Sequence, residues 1–147
     1  MFLLCTKTKK EGYVLVRKVF VNGCFDILHR GHIELFREAK SLGDKLLVAI
    51  DSDKRVSDLK GSSRPINKQE DRKFVLESIK YIDDVVIFDS DSSLINTIKE
   101  YGPNIMMVGS DYKDKKVIGS SHANKLVFFE RIDGYSTTKV LQNISSG

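Results

Sequence analysis

His29-Arg30-Gly31-His32 sets two of the chain's three histidines three residues apart. The pair follows a short β-branched and aromatic run, Val19-Phe20-Val21, and its Asn22-Gly23 turn. Residues i and i+3 at a helix start share a face. Free backbone N–H groups and the positive end of the helix dipole favour a phosphate at that point. Gly31 has no side chain, which lets a triphosphate come close to the backbone, and neighbouring imidazole N–H groups can stabilise charge developing on a reacting phosphate. Phosphoryl transfer depends mostly on positioning and electrostatics, so such a site needs donors more than bases. One histidine alone would read as a satisfied helix-start residue. With this composition, however, the four-residue pattern has only roughly 0.004 expected chance occurrences in the chain. Metal chelation is the competing reading of the pair, with Asp26 or His122 as a third ligand.

A second constellation lies near the C-terminus, in Tyr135-Ser136-Thr137-Thr138-Lys139. A Ser/Thr cluster opening a helix is an anion site, and it is also what a plain helix cap looks like.

Both constellations need a scaffold. The apolar runs Val19–Val21, Leu46–Ile50, Val85–Phe88, Ile105–Val108 and Leu126–Phe129 read as strands covered on both faces. Between them, Ile33, Leu35, Phe36, Ala39 and Leu42 make one helical face that stops at Gly43. Asp51 to Asn67 reads as a long polar loop, and Asn67 with Glu70 starts a helix carrying Val75, Leu76, Ile79 and Ile82. Leu94, Ile95 and Ile98 lie on a short helix ending near Gly102-Pro103, and Ser136 caps the last helix through Val140, Leu141 and Ile144. Alternation of this kind predicts an α/β domain with a doubly wound parallel sheet and right-handed crossovers. Ligands then sit beyond the carboxyl ends of the strands. The segments to question are Asn22–His32, Asp51–Arg64, Asp89–Asp91, Gly109–Gly119 and Glu130–Thr138.

The 147 residues suit one domain, and 41% hydrophobic with 30% charged residues excludes disorder. No apolar run approaches the roughly 18 residues that cross a bilayer, and two cysteines provide no disulfide framework, so the expectation is a soluble cytoplasmic protein. The formal charge is +4. Lys7, Lys9, Lys10, Arg17 and Lys18 against Glu11 place that whole excess within residues 1–18, read as a solvated basic extension. Residues 19–147 form a neutral domain, which excludes a nucleic-acid-binding module.

With these motifs in order, the chain resembles the cytidylyltransferase-like nucleotidyltransferases, whose signature is His-x-Gly-His after a first strand and a Ser/Thr motif opening a late helix. The resemblance covers about residues 18–144 and implies a Rossmann-like single domain that joins an NTP to a phosphorylated small molecule, with Mg²⁺ on the triphosphate and pyrophosphate released. It implies catalytic roles for His29, His32 and Lys60. It implies nucleotide binding by Gly23, Cys24, Phe25, Asp26, Gly31, Asp111, Ser136, Thr137 and Thr138, with Asp111 reading the base edge. Arg64, Arg72 and Arg131 would contact phosphates or substrate. A homodimer is the family habit.

Ser52-Asp53, Leu59 to Asn67 with Asp71-Arg72, Gly109 to Lys113 and Val117 to Ser120 look most like the heptose 1-phosphate adenylyltransferases, which make ADP-heptose. Arg131-Ile132-Asp133-Gly134-Tyr135-Ser136-Thr137-Thr138 is instead similar to the glycerol 3-phosphate cytidylyltransferases, which make CDP-glycerol. AMP transfer from ATP to a sugar 1-phosphate is the favoured expectation and CTP the alternative nucleotide. A nucleotide-binding regulator without turnover would use the same fold.

Overall fold

The computed structural model describes residues 5–7, 13–131 and 133–146, with side chains from residue 15 onward. Two short strands, β1 (Cys5–Lys7) and β2 (Tyr13–Leu15), pair antiparallel as a sheet of their own. The main sheet is built from β3 (Lys18–Gly23), β4 (Lys45–Asp51), β5 (Asp84–Phe88), β6 (Ile105–Gly109) and β7 (Lys125–Phe129). All neighbours in it run parallel, in the order β5-β4-β3-β6-β7. The chain winds outward from β3 in one direction and then from β6 in the other. The crevice of such a sheet therefore opens beyond the carboxyl ends of β3 and β6.

Both faces are covered, which is why the strands are apolar without alternation. Val19, Val21, Val48, Leu46 and Met107 pack with Phe36, Ala39 and Leu76 on one side. Phe20, Leu47, Ala49 and Met106 pack with Leu94, Ile98 and Tyr101 on the other. The first group includes residues of α1 (Arg30–Ser41) and α3 (Gln69–Glu77), and the second those of α4 (Asp91–Tyr101). Gly43 lets the turn after α1 press on the sheet, since a Cβ there would lie 2.7 Å from the Arg17 carbonyl oxygen. Ser90 and Ser93 form a capping box at the start of α4, and Gly102 closes it in the left-handed region at φ 63°.

The polar stretch after β4 is not a continuous loop. Asp53–Lys60 forms a helix, α2, with Ser52 Oγ accepting from the Arg55 N–H at 3.2 Å. Only Val56 of α2 is buried, so the segment lacks the apolar stripe that marks a helix in sequence. α3 begins after Asn67, because the Asn67 backbone N–H is held by Asp26. α5 (Thr137–Ser146) follows β7 and is capped as expected, the Lys139 N–H donating to Ser136 Oγ at 3.0 Å.

Lys18, counted by sequence with the basic extension, is the first residue of β3 and is 1% exposed. Its Nζ donates to the Tyr101 carbonyl at 2.9 Å. The solvated-arm reading of Lys7, Lys9, Lys10 and Glu11 falls on side chains outside the described residues. Among the described residues, no helix is long and apolar enough to cross a membrane.

Candidate active site

A cleft of about 310 Å³ opens where the fold requires, at the carboxyl ends of β3, β6 and β7. Thirteen of the fifteen residues singled out from sequence line it: His29, His32, Lys60, Gly23, Cys24, Phe25, Asp26, Gly31, Ser136, Thr137, Thr138, Arg64 and Arg131. Asp111 and Arg72 do not. Asn22, Leu35, Gly109, Tyr112, Phe129 and Tyr135 also line it and were not anticipated as site residues. Of these, Asn22, Gly109, Tyr112 and Tyr135 stand in segments flagged by their position after a strand, whereas Leu35 and Phe129 do not.

His29 is the N-cap of α1, with extended backbone, and His32 sits in its first turn. The two imidazoles stack, centroids 3.8 Å apart and planes 27° from parallel. The His29 backbone N–H donates to His32 Nδ1 at 3.2 Å, which leaves His32 Nε2 to carry the hydrogen. Burial, then the charges of His29, Arg131 and Lys60, lowers the His32 pKa to about 4. Burial and Arg131 lower that of His29 as well. The pair is therefore neutral near pH 7 and offers N–H groups rather than protons.

Gly31 serves this stack in a way the sequence did not indicate. A Cβ there would fall 2.8 Å from His29 Cε1 and 3.3 Å from the Tyr135 Cβ. The missing side chain makes room for the His29 ring, on which Tyr135 stacks at 6.2 Å. Phe25 supports His32 edge-on at 5.4 Å and meets Phe36 at 4.9 Å. It does so from φ 49°, a strained backbone for a bulky residue. Burial raises the Cys24 thiol pKa, which favours the protonated thiol over the thiolate.

Positive charge converges on the cleft. Lys60 ends α2, Arg64 follows in the next turn, and Arg131 follows β7. The N-termini of α1 and α5 border the cleft, and neither helix has an acidic residue in its first turn. The Thr137 hydroxyl donates to the Ile27 carbonyl at 2.9 Å, docking α5 on the loop that carries the histidines. Asp26 is the one carboxylate among the lining residues. Its oxygens accept from the Ile66 and Asn67 N–H groups at 2.6 and 2.8 Å and lie 3.7 Å from Arg64 Nε. It thus holds the Arg64 turn in place.

Two of the expected site residues lie outside the cleft lining. Arg72, expected to contact phosphate, is 1% exposed and turned into the protein. Its Nε donates to the Asn67 carbonyl at 3.0 Å, one terminal nitrogen to the Cys24 and Asp51 carbonyls at 2.9 Å each, and the other to Asp53 Oδ1 at 2.8 Å. Four of its five N–H groups are committed inside the protein. Asp111 stands beside the cleft in a 3-10 turn after β6, where its carboxylate meets Arg131 at 3.3 Å.

The metal reading of the histidines has no support from the geometry. Among the described residues no three His, Cys, Asp or Glu side chains gather as a metal site. His122 lies in a separate 3-10 turn, and Asp26 is engaged by backbone N–H groups.

Residues 20–146 match the cytidylyltransferase-like family. The chain is 47% identical over 126 residues to the bifunctional protein HldE of Campylobacter fetus subsp. fetus, covering 86% of this chain and 27% of that protein. It is 46% identical over 132 residues to bifunctional protein HldE of a Nitratiruptor species, covering 88% and 28%. The Helicobacter pylori counterpart is 44% identical over 126 residues, covering 86% and 27%. The chain thus spans little more than a quarter of the length of these curated relatives. It is also similar to the crystal structure of the lipopolysaccharide core biosynthesis protein from Thermoplasma volcanium, with a TM-score of 0.61 and 27% identity over 82% of this chain and 99% of that one. The family match takes in the whole parallel sheet beyond the first two residues of β3, both histidines and the start of α5: the chain belongs to the cytidylyltransferase-like family.

Proposed function

We propose that this protein is a nucleotidyltransferase that moves AMP from ATP onto a sugar 1-phosphate such as heptose 1-phosphate, releasing pyrophosphate. The observation that carries the reading is the neutral, stacked histidine pair at the N-terminus of α1 in a cleft whose exposed charges are cationic. An oxygen of the acceptor phosphate attacks the α-phosphorus. The bond from that phosphorus to the oxygen bridging to the β-phosphate breaks, and pyrophosphate leaves with the electron pair. His32 Nε2–H, with His29 beside it, donates to the charge growing on the departing side, where fixed donors count most. Lys60 and Arg131 balance phosphate charge, and the α5 N-terminus with Ser136, Thr137 and Thr138 cradles the β- and γ-phosphates. Arg64 is placed for the acceptor phosphate.

Mg²⁺ would come with the nucleotide and neutralise part of its charge. Asp26, the one carboxylate lining the cleft, is engaged by backbone N–H groups, so the ion would be held chiefly by the triphosphate. The segments resembling heptose 1-phosphate adenylyltransferases and the likeness to the HldE proteins support the adenylyl branch, and work in the cytoplasm as part of nucleotide-sugar synthesis for surface polysaccharide. The segment leading into α5 favours CTP and an alcohol phosphate as the second reading. Asp111, through an exocyclic amine, is the residue proposed to read the base.

Pyrophosphate release measured with ATP and CTP against heptose 1-phosphate and glycerol 3-phosphate tests the proposal. The expected result is turnover with ATP and the sugar phosphate; turnover with CTP alone overturns the branch, and binding without turnover makes the protein a regulator. Asp111→Ala is expected to erase the preference between the two nucleotides. Sedimentation equilibrium checks the homodimer, expected at twice the 16.7 kDa of one chain.

A further inference from the structure

Lys60 stands at the far end of a helix with almost no core. α2 buries Val56 alone, and Leu59, next to Lys60, is 67% exposed. Polar contacts at the other end hold α2 to the body. The Asp53 N–H donates to Gln69 Oε1 at 2.8 Å, and Asp53 Oδ1 accepts from Arg72 at 2.8 Å. Arg55 adds bonds to Asp51 and Asp91 at 2.7 and 2.8 Å. Arg72 is itself tied to the Cys24 and Asp51 carbonyls, the first just beyond the end of β3 and the second the last residue of β4. Neither Asp53 nor Arg72 lines the cleft.

We infer that the Asp53–Arg72 pair is a positioning device for Lys60, setting the direction in which α2 carries its terminal lysine over the nucleotide phosphates. With a rise of about 1.5 Å per residue, Lys60 lies about 10 Å along the axis from Asp53, so a tilt of about 6° at the pair moves Lys60 by about 1 Å. A displacement of about 1 Å is enough to cost about a hundredfold where reacting groups must be aligned. Arg72 suits the task because its planar fork meets three carbonyls and a carboxylate at once, which an ammonium cannot.

This inference rests on Lys60 contacting nucleotide phosphate, and its test does not need turnover. ATP affinity is measured by calorimetry on the full chain carrying Asp53→Ala, Lys60→Ala or both, with circular dichroism and thermal melting confirming the fold. Asp53→Ala is expected to weaken ATP about fivefold when Lys60 is present and less than about twofold when it is not, the non-additivity of coupled residues. Asp53→Asn, which keeps an oxygen for Arg72, is expected to restore most of the affinity. Equal losses in both backgrounds, no loss with Asp53→Ala, or no loss with Lys60→Ala would overturn the inference. Wild-type protein that binds ATP but releases no pyrophosphate would instead overturn the transfer reading and leave the affinity cycle to decide this one.

Discussion

His32 is fitted to donate because the fold keeps its ring neutral. Burial lowers its pKa to about 4, so kcat/KM is expected to show no ionisation of His32 between about pH 6 and 8, and its NMR titration should centre near 4. The same shift has a sign in stability. Below the usual value of 6.5 the unfolded chain takes up a proton that the folded one refuses, so stability drains away as pH falls from 6.5 towards 4. Thermal melts across that window should show a shallower slope in His32→Gln. His29→Ala and His32→Ala are each expected to lower kcat by about 10²- to 10³-fold while circular dichroism stays unchanged, the cost of one preorganised donor. The neighbourhood of the histidines was legible because i, i+3 spacing at a helix start is local geometry. The use of Gly31 was not, since the ring that fills its space is recognised only once His29 and Tyr135 are seen together.

At the scale of elements, the two helices that deliver charge to the cleft differ in how they are held. α5 is capped by Ser136 and docked by the Thr137 hydroxyl. Ser136→Ala is expected to cost about 1 kcal/mol in urea unfolding and to raise the KM for the nucleotide, since the cap is also part of the proposed anion cradle. That helix announced itself by its Ser/Thr start. α2 did not, because a helix pinned by ion pairs and one buried valine leaves no periodic apolar signal. The five strands of the main sheet were legible as uninterrupted apolar runs for the opposite reason: both of their sides are covered.

For the whole molecule, the two faces of the sheet carry different duties. Phe36 lies under Phe25, which braces His32, whereas Leu47 packs on the opposite face with Leu94 and Ile98. Phe36→Ala is expected to cost about 3–5 kcal/mol and Leu47→Ala about 2–5 kcal/mol in urea unfolding. Turnover of the folded protein should fall only in Phe36→Ala, because only that cavity opens beneath the histidine stack. The sequence by itself determined the five parallel strands, the starts of α1 and α5 and the nearness of the two histidines, since these depend on runs of burial and on spacing within a turn. Which arginines reach the cleft was decided only by the tertiary structure. Arg64, Arg72 and Arg131 are alike in sequence, but the acceptors that draw Arg72 inside come from Cys24, Asp51, Asp53 and Asn67, separate stations of the chain that meet only when β3, β4, α2 and α3 are assembled.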